Sequence, residues 1–173
     1  MIERGDTQLA DKLLVVLTFL TALGCGLNAG VFFAFSSFVM KGLAQLPAPQ
    51  GIAAMQAINI TALTPLFMSV LFGTGALCIL VVISSLVRWH QPGSAYLLTG
   101  SLVYLAGTIM VTIVCNVPRN NALAATSPTS PEAAAVWASF VTGWTAWNHV
   151  RTVSGLIAAA LMIFAMMSRS DTA

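Results

Sequence analysis

The chain has 173 residues, of which 58% are hydrophobic and only 7% are charged. A soluble domain usually carries about 25% charged residues, so this composition excludes a surface solvated mainly by water and indicates a lipid environment. The net charge of +2, without a basic run, excludes an electrostatic surface for nucleic acid.

The first two apolar stretches predict two membrane-spanning helices with a short interfacial helix between them. Residues 13–40 contain no charged residue and exceed the roughly 20 residues that a helix needs to cross a bilayer. Residues 51–87 are also uncharged, but Pro65 divides them, because proline removes a helix hydrogen bond and favours a kink. We therefore predict an interfacial or tilted helix over residues 51–64 and a second span over residues 65–87.

The second half of the chain predicts two further spans, at about residues 95–117 and 144–167. The loop between them is polar and rich in turn-forming residues, and residues 131–142 have the composition of a short helix that starts near Pro131. The chain is thus expected to form a single all-α membrane domain over residues 1–173. This domain would be a four-helix bundle with short interfacial helices in the first and third loops.

Basic residues outside the spans predict the orientation of the bundle. Arg4, Lys12, Arg88 and Arg169 lie on one side of the membrane, whereas Lys41 and Arg119 lie on the other, once Arg151 is assigned to a span. The positive-inside rule then predicts that both termini are cytoplasmic, and the expected location is a bacterial inner membrane. The polar tail after Arg169 is expected to be loose.

Polar side chains concentrate at one end of this predicted bundle, where spans one and three end and spans two and four begin. Because polar groups within lipid must find partners inside the protein, we expect a polar pocket in the outward-facing half of the bundle. The candidate residues for this pocket are Asn28, Gln56, Asn59, Thr112, Asn116, Asn120, Trp144, Trp147, Asn148, His149 and Arg151.

Helical spacing identifies the residues of span three that face the interior. Tyr104, Thr108, Thr112 and Asn116 recur every four residues and therefore form one stripe along the helix. The stripe either lines the pocket or supplies hydrogen bonds between helices, and the sequence leaves both interpretations open.

Arg151 is the strongest single candidate, because a charge at this depth is costly unless it points inward and is paired. No carboxylate occurs in any predicted span, so its partners must be amides, carbonyls, water or a bound ligand. The alternative is that Arg151 extends from a helix end to the lipid headgroups. His149 lies almost opposite Arg151 on a regular helix, so one continuous helix cannot direct both side chains into one small pocket.

Several other residues have structural as well as functional interpretations. Trp144 and Trp147 either stack on a ligand or belong to an aromatic belt at the membrane interface. Gly26 and Gly30 form a GxxxG pair, which suits close packing inside the bundle or a homo-oligomer. The phenylalanines between residues 32 and 38 are expected to pack in the bundle or contact lipid rather than form an aromatic cage.

The side-chain inventory excludes several kinds of chemistry. Glu3 and Glu132 are the only glutamates of the sequence, too few for a di-iron bundle. His90 and His149 are predicted on opposite sides of the membrane, so they cannot pair on a haem. The lack of a carboxylate within the spans argues against proton-driven transport. We therefore expect no metal site, and a lone histidine with a methionine is the one metal-binding alternative that stays open.

Four segments of the sequence carry a family resemblance. They are AGVFFAFSSFVMKGL at residues 29–43, MQAIN at 55–59, NVPRNNAL at 116–123 and WTAWNHVRT at 144–152. Together they resemble the anthrone-oxygenase-like family of small four-helix membrane proteins, mostly of unknown function, over roughly residues 24–161. The matching positions are Gln56, Asn59, Asn116, Pro118, Asn120, Trp144, Asn148, His149 and Arg151.

This resemblance implies a cofactor-independent monooxygenase that uses O2 to oxidise an anthrone-like phenolic ketone, a hydrophobic aromatic small molecule. In the implied mechanism, Arg151, Asn116 and Asn120 bind the ketone oxygens and stabilise the enolate. His149 removes the ring proton if it reaches the ligand, and the carbanion then reacts with O2. Two alternatives stay open: a non-catalytic protein that binds a lipid or quinone, and an accessory subunit whose polar stripe only joins helices.

Overall fold

The computed structural model describes the backbone of residues 2–170 and the side chains of residues 8–169. The side chains of the predicted loose tail after Arg169, and that of Arg4 in the orientation argument, lie outside the described residues. The described chain is helical almost throughout, and within it four helices are long and apolar enough to cross a membrane. The prediction of an all-α, integral membrane four-helix bundle is therefore confirmed.

The described helices form four spans, two of which contain π-helical turns. In chain order they are α1 (Ile2–Ala34), a π-helical turn (Phe35–Val39), α2 (Met40–Ala44), α3 (Ala48–Thr61), α4 (Pro65–Val87), α5 (Ser94–Tyr104), two π-helical turns (Leu105–Met110 and Thr112–Asn116), α6 (Val117–Ala124) and α7 (Ala133–Ser170). The spans are Gln8–Ala44, Pro65–Val87, Ser94–Ala124 and Ala133–Arg169.

Local chemistry explains where α4 begins and how the chain turns into α5. The Thr64 hydroxyl accepts a hydrogen bond from the Phe67 N–H at 3.3 Å, and Pro65 occupies the first turn, where no helical hydrogen bond is lost. The turn before α5 requires Gly93, whose φ of +80° is left-handed. A Cβ at Gly93 would also lie 2.7 Å from the carbonyl oxygen of Ala165, so this turn packs closely against α7.

The helices of the first and third loops differ from the predicted boundaries. The interfacial helix α3 begins at Ala48, directly after Pro47, rather than at residue 51. The helix predicted over residues 131–142 is present but does not end there, because it continues into the fourth span as α7. Gly143 does not break it: a Cβ at this position would lie 3.1 Å from Arg119 Nε, so the glycine makes room for that side chain.

Each span packs against two neighbours, since α1 and α5 both contact α4 and α7. Helices α1 and α7 are in close contact at Gly155, where a Cβ would lie 2.9 Å from the Cβ of Ala29. By contrast, Gly26 and Gly30 have open space where a Cβ would stand. This GxxxG pair therefore does not pack inside the bundle, and its use in a homo-oligomer stays a prediction.

Helix α3 and the first turns of α7 form an apolar cap over one end of the bundle. Its buried members include Ile52 from α3 and Trp137, Phe140 and Trp144 from α7. The ring centroids of Trp137 and Phe140 lie 5.7 Å apart, and those of Phe140 and Trp144 lie 6.1 Å apart. Trp144 is thus a buried residue rather than part of an aromatic belt, whereas Trp147 is 37% exposed.

Candidate functional site

A cavity of about 420 Å³ lies beneath the cap, between α1, α3, α4, α6 and α7. Its walls are mostly apolar and include Phe32, Phe35, Met55, Leu71 and Trp144. The polar lining comes from a few side chains, among them Asn59, Thr112, Asn120 and Arg151. The volume falls in the range of about 300–1,000 Å³ that is typical of small-molecule sites, and so does the combination of apolar walls with few polar groups.

Arg151 directs its guanidinium from α7 into this cavity and is only 5% exposed. Its Nη2 donates a hydrogen bond to Asn148 Oδ1 at 2.6 Å, and its Nη1 donates one to Thr112 Oγ1 at 3.4 Å. The charged group lies 4.2 Å from the ring centroid of Phe32 and 5.0 Å from that of Trp144, which is cation–π geometry. Arg151 therefore does not extend to the lipid headgroups.

The charge of Arg151 has no carboxylate partner in the part of the chain that the structure describes. Among the side chains of residues 8–169, the ion pair that forms joins Arg88 and Asp11 at the opposite end of the bundle. A buried charge without a counter-ion is costly, but neutral hydrogen-bond partners and aromatic faces hold this guanidinium in place. Such a preorganised cation can stabilise an anionic or strongly polarised oxygen.

Asn148 fixes the orientation of Arg151. It is fully buried, and its Nδ2 donates hydrogen bonds to the Phe32 carbonyl oxygen at 2.6 Å and to Ser36 Oγ at 2.7 Å. Both of these bonds tie Asn148 to the first span and use only Nδ2, so Oδ1 is left to accept from Arg151. Ser36 belongs to the π-helical turn of this span, and such turns are frequent at functional sites.

Polar atoms without a hydrogen-bond partner cluster in the lining of this cavity. Among the described residues they are Asn59 Nδ2, Asn120 Oδ1, Trp144 Nε1 and Arg151 Nε. Buried polar atoms in proteins nearly always have a partner, so these four atoms mark lining residues whose hydrogen-bonding capacity the described chain leaves unused. Three of these atoms are donors, and a ligand with ketone or phenolate oxygens complements them.

A groove of about 340 Å³ adjoins the cavity between α3 and α6. Asn59 and Asn120 line both spaces, so their amides stand at the boundary between groove and cavity. Gln56 lines only the groove, where its Nε2 donates to the carbonyl oxygens of Leu123 at 2.8 Å and Thr126 at 3.0 Å. Gln56 thus ties α3 to the end of α6 and holds this wall of the groove together.

The polar stripe of the third span faces the interior along its whole length. Tyr104, Thr108, Thr112 and Asn116 are each at most 9% exposed. Thr112 lines the cavity, whereas Tyr104 and Asn116 donate hydrogen bonds at 3.2 Å to backbone carbonyls of α4 and α7. The stripe therefore both lines the pocket, at Thr112, and supplies hydrogen bonds between helices, at Tyr104 and Asn116.

The structure does not bring His149, Trp147 or Asn28 to this cavity, and Asn116, which binds the α7 backbone, does not line it either. His149 is exposed on the other face of α7 and lines a separate groove. It lies two residues from Arg151, and on a regular helix this spacing directs the two side chains to nearly opposite faces. Asn28 is buried deeper in the bundle, where its Nδ2 donates to the Gly24 carbonyl oxygen at 2.9 Å. The proton-abstracting role that the resemblance implies for His149 has no geometric support.

Phe32 and Phe35 form an aromatic wall that the sequence-based prediction assigns to packing or lipid contact. Both line the cavity, whereas Phe33 and Phe38 are exposed on the outside of the bundle. The three-residue spacing of Phe32 and Phe35 places them on one helix face, together with the inward-pointing Ser36. That shared face is the signal by which the wall can be recognised.

The fold and the cavity define a class: a small integral membrane protein whose four-helix bundle contains a ligand-sized cavity lined by a buried cation. The family described as anthrone oxygenase matches residues 65–161, more than half of the chain, and the chain belongs to this family. The predicted resemblance is thereby confirmed. The matched region contains Asn116, Asn120 and Arg151, whereas Asn59 precedes it. No curated protein and no solved structure matches the chain.

Proposed function

We propose that the protein is an oxygenase that binds an anthrone-like phenolic ketone in the Arg151 cavity and converts it to an anthraquinone with O2. The observation that carries this proposal is the buried guanidinium, which faces an aromatic-walled cavity and has no carboxylate partner among the described residues. The family supports the class of substrate.

The ketone oxygen is bound by the guanidinium and the neighbouring indole. Arg151 Nε and Trp144 Nε1 are buried donors without a partner, and they belong to two residues of the cavity lining. In this proposal a side-chain movement on binding brings both donors to one carbonyl oxygen. The fused rings occupy the apolar space beside Phe35, and the amides of Asn59 and Asn120 bind phenolic hydroxyl groups at the boundary with the groove. The apolar walls lower the local dielectric around the ring system, which strengthens these hydrogen bonds.

The chemical step passes through an enolate. Removal of a proton from the methylene carbon opposite the ketone gives an anion whose charge is shared between that carbon and the ketone oxygen. Arg151 stabilises the charge on the oxygen, as an oxyanion hole does. The carbon then transfers electrons to O2 and forms a C–O bond, and the hydroperoxide loses water to leave a second ketone. One oxygen atom of O2 ends in the product and the other in water.

The proton is not taken by His149 in this scheme, because that side chain lies on the other face of α7. The described residues that line the cavity include neither a carboxylate nor an imidazole. The contribution of the chain is therefore to stabilise the enolate form of the ligand, while water in the adjoining groove accepts the proton.

The proposal is tested with the purified protein in lipid nanodiscs to which an anthrone is added. We expect anthraquinone to form faster than in empty nanodiscs, with one O2 consumed for each product molecule. Arg151→Gln is expected to lower the protein-dependent rate by about 10²–10³-fold, the effect of removing one oxyanion-hole donor.

Arg119→Gln is the matched control, because Arg119 lies at the same end of the bundle but outside the cavity lining and donates to the Cys115 carbonyl oxygen. This variant is expected to keep the wild-type rate. Oxidation by the wild-type protein at the rate of empty nanodiscs would rule out the oxygenase.

Binding without chemistry is a second candidate function, in which the cavity holds a hydrophobic ligand such as a lipid or a quinone. The lack of a carboxylate or imidazole in the described lining favours it. It predicts that an added anthraquinone quenches the fluorescence of Trp144 while the protein leaves anthrone oxidation at the background rate. A cavity rather than solid packing beside Arg151 counts against the accessory-subunit alternative.

A further inference from the structure

A second polar groove lies on the face of α7 that points away from the Arg151 cavity. It has a volume of about 420 Å³ and is formed mainly by α2 and the first half of α7. Its lining combines apolar side chains, which include Met40 and Val141, with the polar side chains of Lys41, Thr145 and His149. None of these five residues lines the Arg151 cavity.

The ionisable side chains that line this groove are all basic. Lys41 and His149 are exposed, and neither has a hydrogen-bonding or ionic partner among the described side chains of residues 8–169. Glu132, the described carboxylate at this end of the bundle, does not line the groove. Thr145 Oγ1 is buried and also has no partner in the described structure. The groove thus offers positive charge and hydrogen-bond donors without a competing carboxylate.

We propose that this groove binds the phosphate headgroup of an anionic membrane lipid. Lys41 and His149 contact the phosphate oxygens. The glycerol and acyl parts lie along the apolar side chains of the groove.

The surroundings favour a lipid over a soluble phosphate. The groove opens on the surface of two membrane-spanning helices, and Lys41 lies three residues before the end of the first of them at Ala44. Phosphate groups of lipids are found near the ends of such spans. The exposed apolar side chain of Val150 follows His149 directly in the sequence. This binding site uses a different face of α7 from the Arg151 cavity, although Ser36 lines the groove and also accepts a hydrogen bond from Asn148. The proposal does not rest on the oxygenase chemistry, because lipid retention is measured without an anthrone.

The test measures which lipid the full-length protein retains. The purified protein is equilibrated in nanodiscs that contain equal amounts of phosphatidylglycerol and phosphatidylcholine, and the retained lipid is identified by native mass spectrometry. The wild-type protein is expected to retain phosphatidylglycerol in preference to phosphatidylcholine. Lys41→Gln is expected to lower this preference about fivefold, the effect of one basic residue at an anionic membrane surface.

Lys12→Gln is the matched control, because it removes an exposed lysine at the opposite end of the bundle. It is expected to leave the preference unchanged, whereas Lys41→Gln combined with His149→Gln removes it. Equal retention of both lipids by the wild type, or an equal loss in Lys12→Gln, would overturn the proposal. Displacement of the lipid by soluble glycerol phosphate at similar concentration would also overturn it, by assigning the groove to a soluble anion.

Discussion

Arg151 carries a buried charge, and no carboxylate among the described residues pairs with it. Its hydrogen-bond partners Asn148 and Thr112 are neutral, and the rings of Phe32 and Trp144 face the guanidinium. A charge buried among neutral groups destabilises a fold relative to an apolar side chain of similar volume. Ligand binding therefore explains this residue better than stability does.

Replacement of the charge separates these two explanations. Arg151→Met is expected to unfold at a temperature equal to or above that of the wild type, because the cost of desolvating the guanidinium is removed. The same variant is expected to lose affinity for an anthraquinone. Thermal unfolding in detergent and ligand titration measure the two effects, and a clear drop in unfolding temperature would instead assign Arg151 a structural role.

Asn148 links the first span to the fourth and also positions Arg151, so its loss has two consequences. Asn148→Ala removes the hydrogen bonds to the Phe32 carbonyl and Ser36, and we expect it to lower the free energy of unfolding by about 1–3 kcal/mol. Protein-dependent anthrone oxidation is expected to fall less than in Arg151→Gln, because the cation stays in the cavity.

Thr142→Ala is a suitable comparison for Asn148→Ala, since the Thr142 hydroxyl bonds only within its own helix, to the Ala138 carbonyl oxygen at 3.1 Å. Chemical denaturation of both variants against the wild type gives the difference. Equal stability of Asn148→Ala and Thr142→Ala would mean that the bonds to the first span contribute little.

The third span shows what an element contributes beyond its sequence pattern. The four-residue spacing from Tyr104 to Asn116 predicts one inward stripe, and all of its members are buried. The π-helical turns of this span were not predicted, because a shift in backbone hydrogen bonding leaves no mark in the side-chain pattern and depends on tertiary packing. Helical geometry likewise predicts that Arg151 and His149 diverge, with Arg151 as the inward residue, and in the structure Arg151 lines the cavity while His149 does not.

Close contact between α1 and α7 depends on Gly155, whereas Gly26 faces open space. Gly155→Val is expected to destabilise the protein by about 1–3 kcal/mol, because the added side chain meets Ala29. Gly26→Val is the control and is expected to leave the unfolding temperature close to that of the wild type. Denaturant titration of both variants tests this difference, and an equal loss of stability would contradict the packing described here.

At the scale of the whole molecule, lipid makes the spans easy to predict and the interior hard to predict. Long uncharged runs reveal membrane helices because the bilayer excludes charge from their surfaces. The same physics hides the cavity walls: core and lipid are both apolar, so hydrophobicity alone does not separate Phe32, which faces Arg151, from the exposed Phe33. Only the helix face that Phe32 shares with Ser36 distinguishes it. The polar end of the bundle is predictable from topology, whereas the enclosing cap of α3 and α7 is not.

The proposed orientation of the bundle is tested by chemical labelling of single introduced cysteines. Thr129→Cys and Gln91→Cys place a thiol at exposed positions in the third and second loops, which lie at opposite ends of the bundle. A membrane-impermeant maleimide applied to intact cells is expected to label residue 129 and to label residue 91 only after permeabilisation. The reverse pattern would place both termini outside.

A crystal structure of the protein with a bound hydroxyanthraquinone tests the role of Arg151 most directly. We expect a ketone oxygen within about 3 Å of the guanidinium and the fused rings beside Phe35 and Trp144. A ligand found elsewhere, with Arg151 still bonded only to Asn148 and Thr112, would contradict the proposal that this cation binds the substrate.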